Sequence, residues 1–245
     1  VTKIQYPPTR KIDHVDDYHG TPVSDPYRWL EEMQSPEVLA WAQAQTHLAE
    51  SALRGATWEG VRDRLQQLAD YPKIGVPKRT KNGEMFYSFN DGLRPQPLIM
   101  HQRNHESAPD MILDVNSLSE DGTVAVPVYS ISPDAKTLAY AVADGGSDWN
   151  EVRFKDIASG EVLPDVLYRT RYAQLGWLTD SSAFYYARYP DYTEEAMRET
   201  QIYLHRMGTP STTDLLIYAR PDAPNLNLDP ILTDDRGYLL ISTWK

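Results

Sequence analysis

Cysteine is absent from this chain, which excludes disulfides, thiolate metal centres and a cysteine nucleophile from its chemistry. Basic runs are missing too: Lys and Arg never stand more than two together, and the formal charge of the 245 residues is -11. Phosphate backbones and anionic lipid surfaces select clustered cations, so neither nucleic acid nor a membrane is an expected partner. No stretch approaches the roughly 20 apolar residues that span a bilayer. The first twenty residues lack the basic-then-apolar layout of a secretion signal. A cytoplasmic location is the expectation, with a periplasmic or secreted one as the alternative if a leader has been removed. Hydrophobic residues make up 41% of the chain, enough for a sizeable core in one large domain or two ordinary ones.

Two kinds of periodicity divide the sequence. Ser35 followed by Pro36 and Glu37 is a helix start, and Val38, Trp41, Ala42, Ala49, Ala52 and Leu53 then share one stripe before Gly55. A second helix is predicted from Thr57, with Trp58, Val61, Leu65 and Leu68 on one face, ending before Pro72. Beyond Pro72 the pattern changes to short aromatic and β-branched runs punctuated by turn residues: GEMFYSF, TLAYAVA, NEVRFKDI, SAFYYARY, QIYLHRM, DLLIYA and YLLIST. The expected organisation is a helical segment over residues 1–71 and a β region over 72–245.

The β region repeats. SPDAKTLAY, LTDSSAFYY and TDDRGYLLI share a polar turn followed by an apolar strand, and TKNGEMFYS is a weaker copy. Their aligned Asn82, Asp134, Asp180 and Asp235 recur about every 50 residues, the period of a β-propeller blade of four short strands. An irregular sandwich is the other reading. Residues 73–245 hold about three and a half such blades, fewer than a closed propeller, which predicts a longer polypeptide.

Three segments carry a family resemblance: HVDDYHGTPVSDPYRWLEE at 14–32, LDVNSLSEDGTVAV at 113–126 and GGSDWNEVRF at 145–154. With the helical pair and the blade period, the chain resembles the N-terminal third of the prolyl oligopeptidase family of serine peptidases. That resemblance implies a mainly β chain that is part of a seven-bladed propeller, preceded by a helical segment that packs on an α/β-hydrolase domain outside this sequence. It implies hydrolysis of short peptides on the C-terminal side of proline, with the propeller as cap and size filter. The partners implied are the C-terminal hydrolase part of the same polypeptide and small proline-containing peptides. No cofactor is expected. An oligopeptidase B-like enzyme and a non-enzymatic propeller used as a binding platform are the alternatives.

No catalytic residue is expected in this chain. A nucleophilic serine needs an elbow of the G-x-S-x-G kind, and Gly145-Gly146-Ser147-Asp148 continues into Trp149 instead. By resemblance, Phe154 forms an apolar substrate wall and Asp148 and Trp149 fix their hairpin at the domain interface; plain blade packing is the other reading of Phe154. A second family contact, a Met, falls near Asn227, where the replacement removes the basis for carrying it over. His14, Asp16, Asp17, His19 and Asp25 lack metal-ligand spacing, so no metal is expected. They read as a turn, with Asp25-Pro26 bending it and Tyr18, Tyr27, Trp29 and Leu30 as anchors. The charged connection at 186–203 reads as a solvent-exposed hairpin loop of the kind that can line a cavity.

Overall fold

A computed structural model describes residues 4–171, 176–193 and 198–245. The chain divides into two compact units, Val1–Ala69 and Asp70–Lys245.

In the first unit, strands β1 (Val15–Tyr18) and β2 (Thr21–Ser24) form a hairpin turning through His19 and Gly20, both at positive φ. Helix α1 (Pro36–Leu53) begins where the Ser35 hydroxyl accepts the Val38 N–H at 3.3 Å, and α2 (Ala56–Ala69) follows Gly55. Trp29 is the anchor: it is buried, and its indole N–H donates to the Arg10 carbonyl at 2.9 Å. The Arg10 guanidinium lies over the same ring and pairs with Glu37 on α1, strapping the leading segment to the helix. Tyr18 and Tyr27, expected as further anchors, are exposed. The Asp16 and Asp25 carboxylates converge on Arg28, so the acidic run around the hairpin serves an ion-pair cluster.

The second unit is built from consecutive antiparallel sheets. The first holds β3 (Lys73–Ile74) and β4 (Lys78–Arg79), both paired with β5 (Met85–Asn90), then β6 (Leu98–Gln102) and β7 (Asp110–Asp114). The second is the meander β8 (Tyr129–Ile131), β9 (Thr137–Ala143), β10 (Trp149–Asp156) and β11 (Val162–Arg171). The third is β12 (Gly176–Trp177), β13 (Ala183–Arg188), β14 (Gln201–Arg206) and β15 (Leu215–Ala219). A fourth sheet contains β16 (Asn227–Leu232) and β17 (Leu239–Trp244). Three complete blades and half of another are the partial propeller that the repeat period predicts.

The repeating turn has one geometry in all four blades. The residue after each aligned Asn or Asp sits in the left-handed region: Gly83 at φ 86°, Ala135 at 60°, Ser181 at 61° and Arg236 at 58°. Each donates its N–H to the carbonyl three residues back, on Thr80, Ser132, Leu178 and Thr233. The aligned Asp134, Asp180 and Asp235 hold the bend by accepting from neighbouring hydroxyls and N–H groups. A side chain in this region costs about 1–2 kcal/mol. Gly83→Ala should therefore destabilise by that amount, read as a lower urea midpoint, because the new methyl has room, its nearest neighbour being an Arg79 nitrogen at 3.6 Å.

Between neighbouring blades lie the cores. Phe86, Ile99 and Ile112 meet Leu138 and Tyr140; Ala139, Ala141, Val152, Phe154 and Leu167 meet Trp177, Phe184 and Tyr186; Ala187 and Ile202 meet Leu228. Strand β9 is thus buried on both faces, which is why TLAYAVA is apolar without alternation.

Candidate functional site

The turn between β9 and β10 is made by Asp144 through Asp148, with Gly145 at φ 56° and Gly146 at φ 75°. The Ser147 N–H donates to the Asp144 carbonyl at 2.9 Å, and the Ser147 hydroxyl accepts the Trp149 N–H at 3.1 Å. Ser147 therefore acts on backbone donors, the ordinary work of a turn serine. Asp148 reaches across the sheet instead: its carboxylate accepts from Arg171 at 2.8 Å.

Register explains the meeting. Trp149 and Arg171 are directly opposite in the β10–β11 ladder, and the Arg171 guanidinium lies 5.3 Å from the centre of the Trp149 ring. Tyr189 and Tyr192, from the connection after β13, pack their rings edge-on against Trp149 at 5.5 Å and 4.8 Å. Tyr189 is buried, and its hydroxyl reaches Asn227 on β16 at 3.5 Å. The described part of this connection is therefore packed on the second blade at Tyr189, while Tyr192 stays exposed; residues 194–197 lie outside the described residues.

Beside this cluster is a pocket of about 380 Å³, with Leu118, Val124 and Val142 contributing apolar lining and Asp144, Glu151 and Arg153 charge. Asn150 also lines it. This residue is buried, its amide N–H donates to the Asp148 carbonyl at 2.8 Å, and its side-chain oxygen has no donor among the described residues. A buried acceptor in that state favours a ligand that brings an N–H.

Phe154 is not part of this pocket. Along β10 the side chains alternate, so Asn150, Val152 and Phe154 are buried while Glu151 and Arg153 are only partly covered. Phe154 has no exposed surface; it meets Trp177 and Phe184 edge-on at 5.9 Å and 5.6 Å and lies over the His205 ring at 5.9 Å. The expected substrate wall at this position is corrected: the ring packs between the second and third blades.

His205 brings in a group that the sequence reading passed over. It is buried on β14, with Nδ1 2.8 Å from Asp214 and Nε2 3.0 Å from Asp165 on β11. Both carboxylates also accept from other donors, Asp214 from the Tyr186 hydroxyl at 2.6 Å and Asp165 from the Gly208 N–H at 2.6 Å. An imidazole flanked by two accepting carboxylates donates from both nitrogens, which only the imidazolium does. Burial works against that charge, but Asp214 first and Asp165 second outweigh it and hold the His205 pKa above its ordinary value. Tyr186 is kept neutral by its own burial and by Asp214, which push its pKa up.

Comparison with known proteins agrees with this architecture. The family model for the prolyl oligopeptidase N-terminal β-propeller domain matches residues 7–245. A prolyl endopeptidase of Elizabethkingia meningoseptica is 30% identical over 245 residues, covering 98% of this chain and 34% of the relative. Prolyl oligopeptidase A of Galerina marginata is 30% identical over 276 residues, covering 98% and 37%. Among solved structures, one from a study of two prolyl endopeptidases and their inter-domain dynamics superposes with a TM-score of 0.84 at 31% identity, covering 98% of this chain and 36% of that one. A substrate-bound prolyl oligopeptidase B from Galerina marginata gives 0.78 at 27% identity, covering 98% and 37%. The chain thus spans about a third of the length of these relatives. With the family model matching residues 7–245 and the fold superposing over 98% of its length, this chain belongs to the prolyl oligopeptidase family, in its N-terminal propeller part.

Proposed function

We propose that the polypeptide carrying this chain is a serine-type prolyl endopeptidase acting on short peptides, and that this chain supplies its N-terminal segment and the first three and a half blades of its cap. The observation that carries this reading is the continuous likeness from the helical unit to the fourth sheet, covering 98% of the chain. A free-standing propeller has no use for the Arg10–Trp29 strap and the helix pair. Residues 1–71 are assigned to the catalytic half and 72–245 to the cap. The stripe Trp58, Val61, Leu65 and Leu68 is exposed on α2, which suits burial against an α/β-hydrolase domain.

The nucleophile, its base and the orienting carboxylate are assigned to that domain. There a serine attacks the carbonyl after proline, a histidine moves the proton, and positioned N–H or hydroxyl donors hold the oxyanion. The cap excludes folded proteins, and the Asp148–Trp149 turn sits at its border with the hydrolase half. Asn150 then offers its buried oxygen to a peptide N–H, over the apolar lining of Leu118 and Val124.

The test uses the purified full-length polypeptide. It should cleave a capped glycyl-prolyl chromogenic substrate about 100-fold faster than a glycyl-arginyl one, lose activity to a serine-directed phosphonate, and leave the same sequence uncut inside a folded protein. Residues 1–245 alone should hydrolyse neither substrate. Preference for arginine would replace this reading with an oligopeptidase B-like enzyme, and absence of turnover by the full polypeptide would replace it with a binding platform.

A further inference from the structure

The repeating turns do more than close hairpins, because they also tie each blade to the next. The Lys78 ammonium donates to the Tyr129 carbonyl at 2.7 Å, the Asp134 N–H to the Ser181 hydroxyl at 3.3 Å, and the Arg236 guanidinium to the Trp177 carbonyl at 2.6 Å. Two of these three ties use cations. Lys78 and Arg236 line one cavity of about 300 Å³, together with Arg79 of β4, Lys81 of the first turn and a single carboxylate, Asp234.

This concentration of positive charge stands out in a chain of formal charge -11. Among the described residues none of the four cations is in an ion pair, and Lys81 exerts only a longer-range pull on Asp235. Asp235 itself is committed to the Thr233 hydroxyl and the Gly237 N–H. Among the described residues the hydrogen bonds of Lys78 and Arg236 go to backbone carbonyls, and desolvation lowers the pKa of both. A partly desolvated cation without a counter-charge is a costly arrangement that an anion relieves. Lys78 is further held in place by the Tyr129 ring, 4.3 Å from its nitrogen.

We propose that this cavity is a binding site for a small oxyanion, either inorganic phosphate or the terminal carboxylate of a peptide, with Lys78 and Arg236 as its fixed charges and Arg79 and Lys81 closing on the ligand. The site draws on the ends of three blades, and it is independent of the peptidase assignment. Asp234 opposes binding, which gives the proposal a signature of opposite sign to ordinary damage.

The full-length polypeptide is titrated with inorganic phosphate by calorimetry at fixed ionic strength, with chloride as the control. Phosphate should bind and raise the melting temperature beyond the chloride control. Arg79→Gln with Lys81→Gln should weaken that affinity at least tenfold without changing the melting temperature in chloride, since among the described residues neither side chain carries a hydrogen bond of the fold. Asp234→Asn should tighten phosphate several-fold, a gain that misfolding does not produce. A peptide with a free carboxyl end and its amidated twin then compete against phosphate. Displacement by the free acid alone identifies a peptide end as the ligand, and displacement by neither identifies the free anion. No phosphate effect beyond chloride, or the same affinity in wild type and in both variants, overturns the proposal.

Discussion

Replacing Phe154 by Ala in the full-length polypeptide should remove about 3–5 kcal/mol of stability, the usual cost of deleting a fully buried aromatic ring. The ring touches both sides of the seam between the second and third blades, with Trp177 and Phe184 edge-on and His205 beneath it. Its partner across the ladder is Ala139, too small to fill the space left behind. Phe154→Leu keeps most of the volume and should cost less, about 1.5 kcal/mol or below. Because the ring has no exposed surface, turnover measured where the variant remains folded should change alike for a peptide that reaches past the proline and for a truncated one. A deficit confined to the longer peptide, with an unchanged melting temperature, would restore Phe154 to the substrate-facing wall.

The blade order was legible because its signals are local. Each repeating turn needs an acidic or amide residue and then a left-handed residue, and the strand after it is apolar on both faces. Helix α1 was legible for the same reason, through Ser35 and Pro36. Strands whose neighbours carry breakers were harder to see: β11 includes Pro164 and Asp165, and β6 begins directly after Pro97. The site was only half visible. GGSDW marks an unusual turn, yet the partners of Trp149 come from Arg171, Tyr189 and Tyr192, whose approach depends on ladder register and on packing between blades. The wall at Phe154 came from resemblance and not from strand parity: it lies an odd number of positions from Trp149, so the strand turns the two rings to opposite faces and buries Phe154. His205 gave no sign at all, since its two carboxylates arrive from residues 165 and 214, the first on another blade.

That histidine carries the second large effect. His205→Ala should cost about 3–5 kcal/mol, because it leaves the Asp165 and Asp214 carboxylates buried side by side without their shared cation. If charge balance is the cause, adding Asp165→Asn and Asp214→Asn to a His205→Leu variant should recover much of the loss, as neutral replacements of buried ionic groups often do. The pH dependence follows from the direction of the shift. The unfolded ring titrates near 6.5, and the folded ring above that value. The stabilisation is therefore fully present below about pH 6.5 and is lost as the pH rises through the folded-state value, at no more than about 1.4 kcal/mol per pH unit. The phenol that shares Asp214 with the ring leaves this window clear, because burial and Asp214 push the Tyr186 pKa up and keep it neutral. Urea midpoints of the wild type and the neutral triple variant, measured from pH 6 to 9, separate this contribution from every other titration in the polypeptide. The difference between the two proteins should shrink steadily toward alkaline pH, and a difference that stays constant across that range would mean the ring is neutral and the brace between the blades rests on hydrogen bonds alone.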